Sequence, residues 1–108
     1  MRNIEEIKPI LEEIKENLSN VYGDKIKSIL LYGSFAKNQA SEKSDVDILV
    51  VTSDELDSFV IRERLSEFLY DLFLEKGELV SLIVIPESTF ASYRSPFLLN
   101  VKEEAITI

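Results

Sequence analysis

The chain has 108 residues, 45% hydrophobic and 30% charged, and its 20 acidic against 12 basic side chains give a formal charge of −8. That length predicts one domain, residues 1–108, and the acidic balance, without clustered Lys and Arg, argues against a face for extended nucleic acid. The absence of cysteine excludes a disulfide framework and fits a cytoplasmic setting, and Met1–Glu6 lacks the pattern of a signal peptide. Apolar runs as short as Leu82–Ile85 argue against a membrane span, which needs about 20 residues.

Ile4, Ile7, Ile10, Leu11, Ile14, Leu18 and Val21 recur at helical steps between Glu and Lys, which predicts an amphipathic helix. Asn3 with Glu6 fits a capping box, whereas Pro9, comfortable only in a first turn, moves the start toward Lys8. Gly23 and Asp24 end the segment. Ile26–Tyr32 reads as a buried strand stopped by Gly33. Residues 33–44 are polar and show no apolar period. Val46–Val51, entered through Asp45, reads as a second strand.

Thr52 with Glu55 predicts the cap of a long helix that Gly77 closes. Its apolar side is Leu56, Phe59, Val60, Leu65, Phe68, Leu69, Leu72 and Phe73, and the three phenylalanines are expected in the core, not as base-stacking platforms. Leu79–Ile85 is a third strand, stopped by Pro86. Ser95-Pro96 starts a last helix with Phe97, Leu98 and Val101 on its apolar side, and Ile106–Ile108 adds a short edge strand. This order predicts an α/β or α+β fold, a small sheet flanked by helices.

The polar stretch between the first two strands is the part a core does not explain. Side chains alternate along a strand, so Asp45 and Asp47 share a face, roughly 7 Å apart along the backbone. Paired carboxylates repel, and strands disfavour Asp. A hard cation removes both objections, and Mg²⁺ suits carboxylates combined with substrate phosphates. Gly33 lets a phosphate approach the backbone, and the Ser34 hydroxyl is placed to donate to it. Taken singly, D-x-D at a loop–strand junction is commonly a solvated turn, and Gly-Ser an ordinary loop start. The ten residues Phe35–Ser44 that separate them join the two into one pattern.

That pattern, GSFAKNQASEKSDVDILV, resembles the G-S-x(10)-D-x-D signature of the DNA polymerase β-like nucleotidyltransferase superfamily. The short chain resembles the superfamily's minimal nucleotidyltransferases. The signature covers residues 33–47, and the element order before and after it agrees with that fold. The resemblance implies a mixed sheet of the polymerase β palm type. It also implies that Gly33 and Ser34 hold a triphosphate and that Asp45 and Asp47 are the catalytic, Mg²⁺-holding carboxylates. Lys37 falls where the family often has a basic residue, and Asn38 where it often has glycine. Lys37 and Ser44 complete the implied nucleotide-binding set, although a solvated loop lysine is the plainer reading of Lys37.

The implied reaction transfers a nucleoside monophosphate, AMP from ATP in first place, to an acceptor hydroxyl. Similar proteins are often paired with a small helical HEPN-domain protein, as antitoxin with toxin. The implied partners are therefore ATP or another nucleoside triphosphate, such a helical protein, or a second copy in a homodimer. The family commonly supplies a third carboxylate from the neighbouring strand, and here that position is Ser81, a neutral hydroxyl. Glu78, three residues earlier, faces away unless a bulge redirects it, and Asp71 and Glu75 belong to a solvated helix face. Two functions follow: an active enzyme, or a catalytically weak or inactive nucleotide-binding, antitoxin-like module. A glycosyltransferase D-x-D site fits poorly, since it needs a far larger sugar-nucleotide domain.

Overall fold

A computed structural model describes residues 1–108. In chain order it contains helix α1 (Lys8–Tyr22), strand β1 (Ile26–Tyr32), a single turn α2 (Gly33–Ala36), β2 (Val46–Thr52) and α3 (Ser58–Lys76). Strand β3 (Val80–Pro86), α4 (Glu87–Ser92), α5 (Pro96–Glu104) and β4 (Ile106–Thr107) follow. The strands form one mixed sheet in the order β3-β2-β1-β4. β1 runs antiparallel to both β2 and β4, whereas β2 and β3 are parallel and need the long connection that α3 supplies.

Alternation along the strands sorts the core onto two faces. Ile29, Leu31, Val46, Ile48, Val50, Leu82 and Val84 pack under α1 and α3. Ile10, Leu11, Ile14 and Leu18 of α1 meet them there, with Ile61, Leu65, Leu69 and Leu72 of α3. On the opposite face Leu30, Leu49 and Val51 pack against Leu98 and Val101 of α5. Each fully buried aliphatic side chain contributes roughly 1.5–3 kcal/mol, so these two layers supply most of what holds the sheet in place.

Several element boundaries differ from the sequence expectation. Ile4–Ile7 is a 3₁₀ turn before α1; Asn3 Oδ1 accepts from Glu5 N–H at 3.0 Å, while Glu6 pairs with Arg2 and does not close a capping box. Val21 is exposed. Residues 33–44 contribute to the core after all, through Phe35 and Ala40, both almost fully buried. Thr52 belongs to β2, not to a helix cap; the cap of α3 is Asp57, which accepts from Phe59 and Val60 N–H. Helix α4 was not expected. Gly77 and Ser95 do cap as predicted, the latter accepting from Leu98 N–H at 3.1 Å.

The buried stripe of α3 is Ile61, Leu65, Leu69 and Leu72. Phe59 and Phe73 lie outside it, 67% and 42% exposed, which corrects their placement in the core. Every apolar residue of α3 fits some helical stripe, and the packing against β2 and β3 selects only one of them.

Candidate functional site

The sheet register places three side chains in a row across β1, β2 and β3. Tyr32 is paired with Asp47, and Asp47 with Ser81. All three share the parity of Leu30, Leu49 and Ile83, so they emerge on the face that α5 covers only in part. Asp47 is half-buried and Ser81 exposed. Asp45 lies one residue ahead of β2 and is exposed.

Gly33 is the tightest point of this arrangement. Its φ of +75° belongs to the left-handed region, and a Cβ there would lie 3.0 Å from Asp47 Cγ and overlap the Oδ2 oxygen. Only glycine lets the turn α2 begin directly against the Asp47 carboxylate. The turn is held by Lys37 N–H donating to the Gly33 carbonyl at 3.1 Å and Gln39 N–H donating to that of Ser34 at 2.8 Å. Its first N–H groups have no partner within the turn and, with the half-buried Ser34 hydroxyl, form a donor-rich edge beside two acids.

The electrostatics follow from this crowding. Partial burial pushes the Asp47 carboxyl up from its ordinary value, and the Asp45 charge adds to the effect. Burial, and then the Asp47 charge, likewise push the Tyr32 hydroxyl up. No group of three or more carboxylate, imidazole or thiol side chains is placed to hold a metal ion, here or elsewhere. Two carboxylates, one of them disfavoured as an anion, do not cage a metal. They fit a hard divalent cation that completes its shell with water and substrate phosphate.

The other expected residues fall as follows. Lys37 is exposed, with its ammonium 3.7 Å from Glu104 on α5. Ser44 Oγ accepts from Ser41 N–H at 2.8 Å and so holds the turn that delivers Asp45. Glu78 does not reach the site: its carboxylate pairs with Arg2. The β2–β3 register runs unbroken from Val46↔Val80 to Thr52↔Pro86, so no bulge redirects it. Asp71 and Glu75 are solvated on α3.

Two features escaped the sequence reading. Tyr32 stands beside Asp47 and meets Phe97 of α5 edge to face, with ring centroids 5.4 Å apart. Strand alternation puts Tyr32 on the face of Leu30, but only the β1–β2 register joins it to Asp47, and a thirteen-residue connection leaves that register open. Arg2 is the second. Its N–H donates to the Ala40 carbonyl at 2.9 Å and its guanidinium lies 5.1 Å over the Phe35 ring, so it straps the 33–44 segment to the start of β3.

The family described as Polymerase beta, Nucleotidyltransferase matches residues 12–93. A candidate protein adenylyltransferase of Methanocaldococcus jannaschii is 46% identical over 72 residues, which cover 64% of this chain and 71% of the relative. The crystal structure of a candidate nucleotidyltransferase from Sulfolobus solfataricus superposes with a TM-score of 0.63 at 23% identity, over 92% of this chain and 76% of that one. A toxin–antitoxin crystal structure with AMP-PNP superposes with a TM-score of 0.62 at 22% identity, over 89% and 69%. These two likenesses concern the fold; the profile match spans the whole Gly33–Asp47 element as well as the three strands around it. Acids, glycine turn and mixed sheet together place the chain in the polymerase β nucleotidyltransferase family.

Proposed function

We propose that residues 1–108 form one minimal nucleotidyltransferase domain that transfers AMP from ATP to a hydroxyl of a partner protein in the cytoplasm. The observation that carries this reading is the contact of Gly33 with Asp47, which sets a donor-rich turn against a pair of carboxylates. The Methanocaldococcus jannaschii relative, named for protein adenylylation, supports a protein acceptor. The toxin–antitoxin structure with AMP-PNP supports ATP as donor and a partner chain. We infer that this partner is a helical HEPN-domain protein, in the relation of toxin to antitoxin; a homodimer face is the other source of an acceptor surface.

In this reading Ser34 and the first N–H groups of α2 donate to the terminal phosphates, with Lys37 and Ser44 flanking them. Asp45 and Asp47 would hold Mg²⁺, which would supply charge neutralisation at the phosphates. The acceptor oxygen forms a bond to the α-phosphorus while the bond to the bridging α–β oxygen breaks. Pyrophosphate leaves, and the hydroxyl proton passes to water, to which Ser81 is open.

Incubation with α-labelled ATP, Mg²⁺ and the product of the neighbouring gene tests this. Label is expected on the acceptor with wild type and not with Asp47→Asn. Ser81 favours a second reading, a nucleotide-binding module with weak or no catalysis, because the position in register with Asp47 offers no anionic ligand or base. A melting temperature raised by Mg²⁺-ATP without any label transfer would select that second reading.

A further inference from the structure

Strand β3 is the open edge of the sheet. Its Leu79 carbonyl accepts from Val46 N–H at 2.9 Å, which sets the parallel ladder so that Val80, Leu82 and Val84 turn their N–H and C=O groups outward. The only protein donor recorded on that outer row is Arg62 Nε, 3.5 Å from the Leu82 carbonyl, at the limit of a hydrogen bond. Exposed edges are normally blunted by charge, bulges or brevity. The sequence VSLIVI carries no charge, its register has no bulge, and β3 is seven residues long.

Beside this edge runs a cleft of about 410 Å³ between β3 and α3, lined by Arg62, Leu69, Tyr70, Phe73, Leu79 and Ser81 among others. Tyr70, Phe73 and Leu79 are large apolar side chains left exposed. Arg62 is the one charged residue of the lining, and Glu63 and Glu67, both exposed, follow the lining residues Arg62 and Ser66 along α3. The cleft also touches Ser81 of the edge strand, the register partner of Asp47, whose side chain emerges on the opposite, proposed catalytic face, so a strand added here would alternate its side chains between the cleft and that face.

We propose that this edge and cleft dock an extended segment of the acceptor protein, added as a fifth strand beside β3, and thereby deliver its hydroxyl to Asp47. The proposal rests on the adenylylation reading above. An added strand pairs the outward N–H and C=O groups of Val80, Leu82 and Val84, and its alternate apolar side chains fill the cleft against Phe73 and Leu79. Lys or Arg on that segment complements a chain of net charge −8 that exposes Glu63 and Glu67 on the helix beside the cleft. The acceptor motif is thus a hydroxyl residue flanked by alternating apolar and basic residues.

The test is an array of ten-residue peptides with a central Tyr, Ser or Thr and varied flanks, probed with wild type, Leu79→Glu, Phe73→Glu and Asp47→Asn. Both glutamate substitutions fall at exposed positions, and circular dichroism and melting check that the variants fold. Expected is binding at least tenfold stronger to basic–apolar flanks than to acidic ones, reduced at least tenfold by Leu79→Glu or Phe73→Glu and retained by Asp47→Asn. No peptide bound above the Leu79→Glu background, equal binding by all proteins, or a preference for acidic flanks would overturn the proposal. So would a wild-type dimer that Leu79→Glu dissociates, which would give the edge to a second copy. Peptides that bind with the expected dependence yet take no label from ATP uphold the docking site and remove only the catalytic reading.

Discussion

Asp47 of β2 and Ser81 of β3 face each other in register across a parallel ladder, on the half-open side of the sheet. A carboxylate at residue 81 would project beside Asp47 with no change in backbone. Ser81→Asp is therefore expected to lower the melting temperature of the metal-free protein by a few degrees, through a third like charge, and to recover it when Mg²⁺ is added. Transfer to the acceptor is expected to rise about tenfold or more. Thermal melts with and without EDTA, together with label transfer, check both halves. A variant that gains neither metal response nor rate would show that Ser81 does not face the reacting groups.

The contact between Gly33 and Asp47 predicts an asymmetry between two glycines. Gly33 and Gly77 both have positive φ, +75° and +71°, but a Cβ at Gly77 meets nothing within 4 Å. Alanine at either position costs about 1–2 kcal/mol of backbone strain. Only Gly33→Ala also displaces the Asp47 carboxylate. Mg²⁺-ATP affinity is expected to fall at least tenfold in Gly33→Ala and to stay within about twofold in Gly77→Ala, as read by titration calorimetry.

Asp47 also makes stability depend on pH in a definite direction. Its folded pKa is raised, by burial first and by Asp45 second. Below the ordinary aspartate value both the folded and unfolded chains carry the proton, and the residue costs nothing. As pH rises through that value and then through the folded one, the unfolded chain releases its proton first and the fold loses stability; the loss is complete above the folded pKa. Metal-free Asp47→Asn is therefore expected to melt above wild type at neutral pH and together with it in strong acid. Saturating Mg²⁺ should narrow the neutral-pH gap by stabilising wild type alone.

Thr52 offers a test of the fold independent of the site. It is fully buried at the end of β2, and its hydroxyl has no hydrogen-bond partner. An unsatisfied buried hydroxyl costs about 1–3 kcal/mol, and valine has nearly the same shape. Thr52→Val is expected to stabilise the protein by about 1 kcal/mol, measured as a higher denaturant midpoint at unchanged slope.

The three long strands were legible because each is an apolar run that stops at Gly33, opens after Asp45 or ends on Pro86. The helix ends at Gly77 and Ser95 were legible because they depend on local chemistry, an αL turn and a hydroxyl cap. Phe35 and Ala40 were not: in a polar stretch two apolar residues five apart have no period, and only the Arg2 strap and the packing under the sheet bury them. Thr52 and Asp57 both suit a helix cap, and the extension of β2 to pair with Ile26 and Pro86 decides for Asp57. In the site, the D-x-D spacing was enough to put both acids on one strand entry. The row from Tyr32 through Asp47 to Ser81 required the register, which no local signal carries.

Calorimetric titration of the protein with Mg²⁺-ATP bears most directly on the assignment of Asp45 and Asp47. The wild type is expected to release or absorb heat saturating at one nucleotide per chain. The double variant Asp45→Asn/Asp47→Asn, folded by circular dichroism, is expected to show none. Equal heat from the double variant, or no heat from the wild type, would contradict the account.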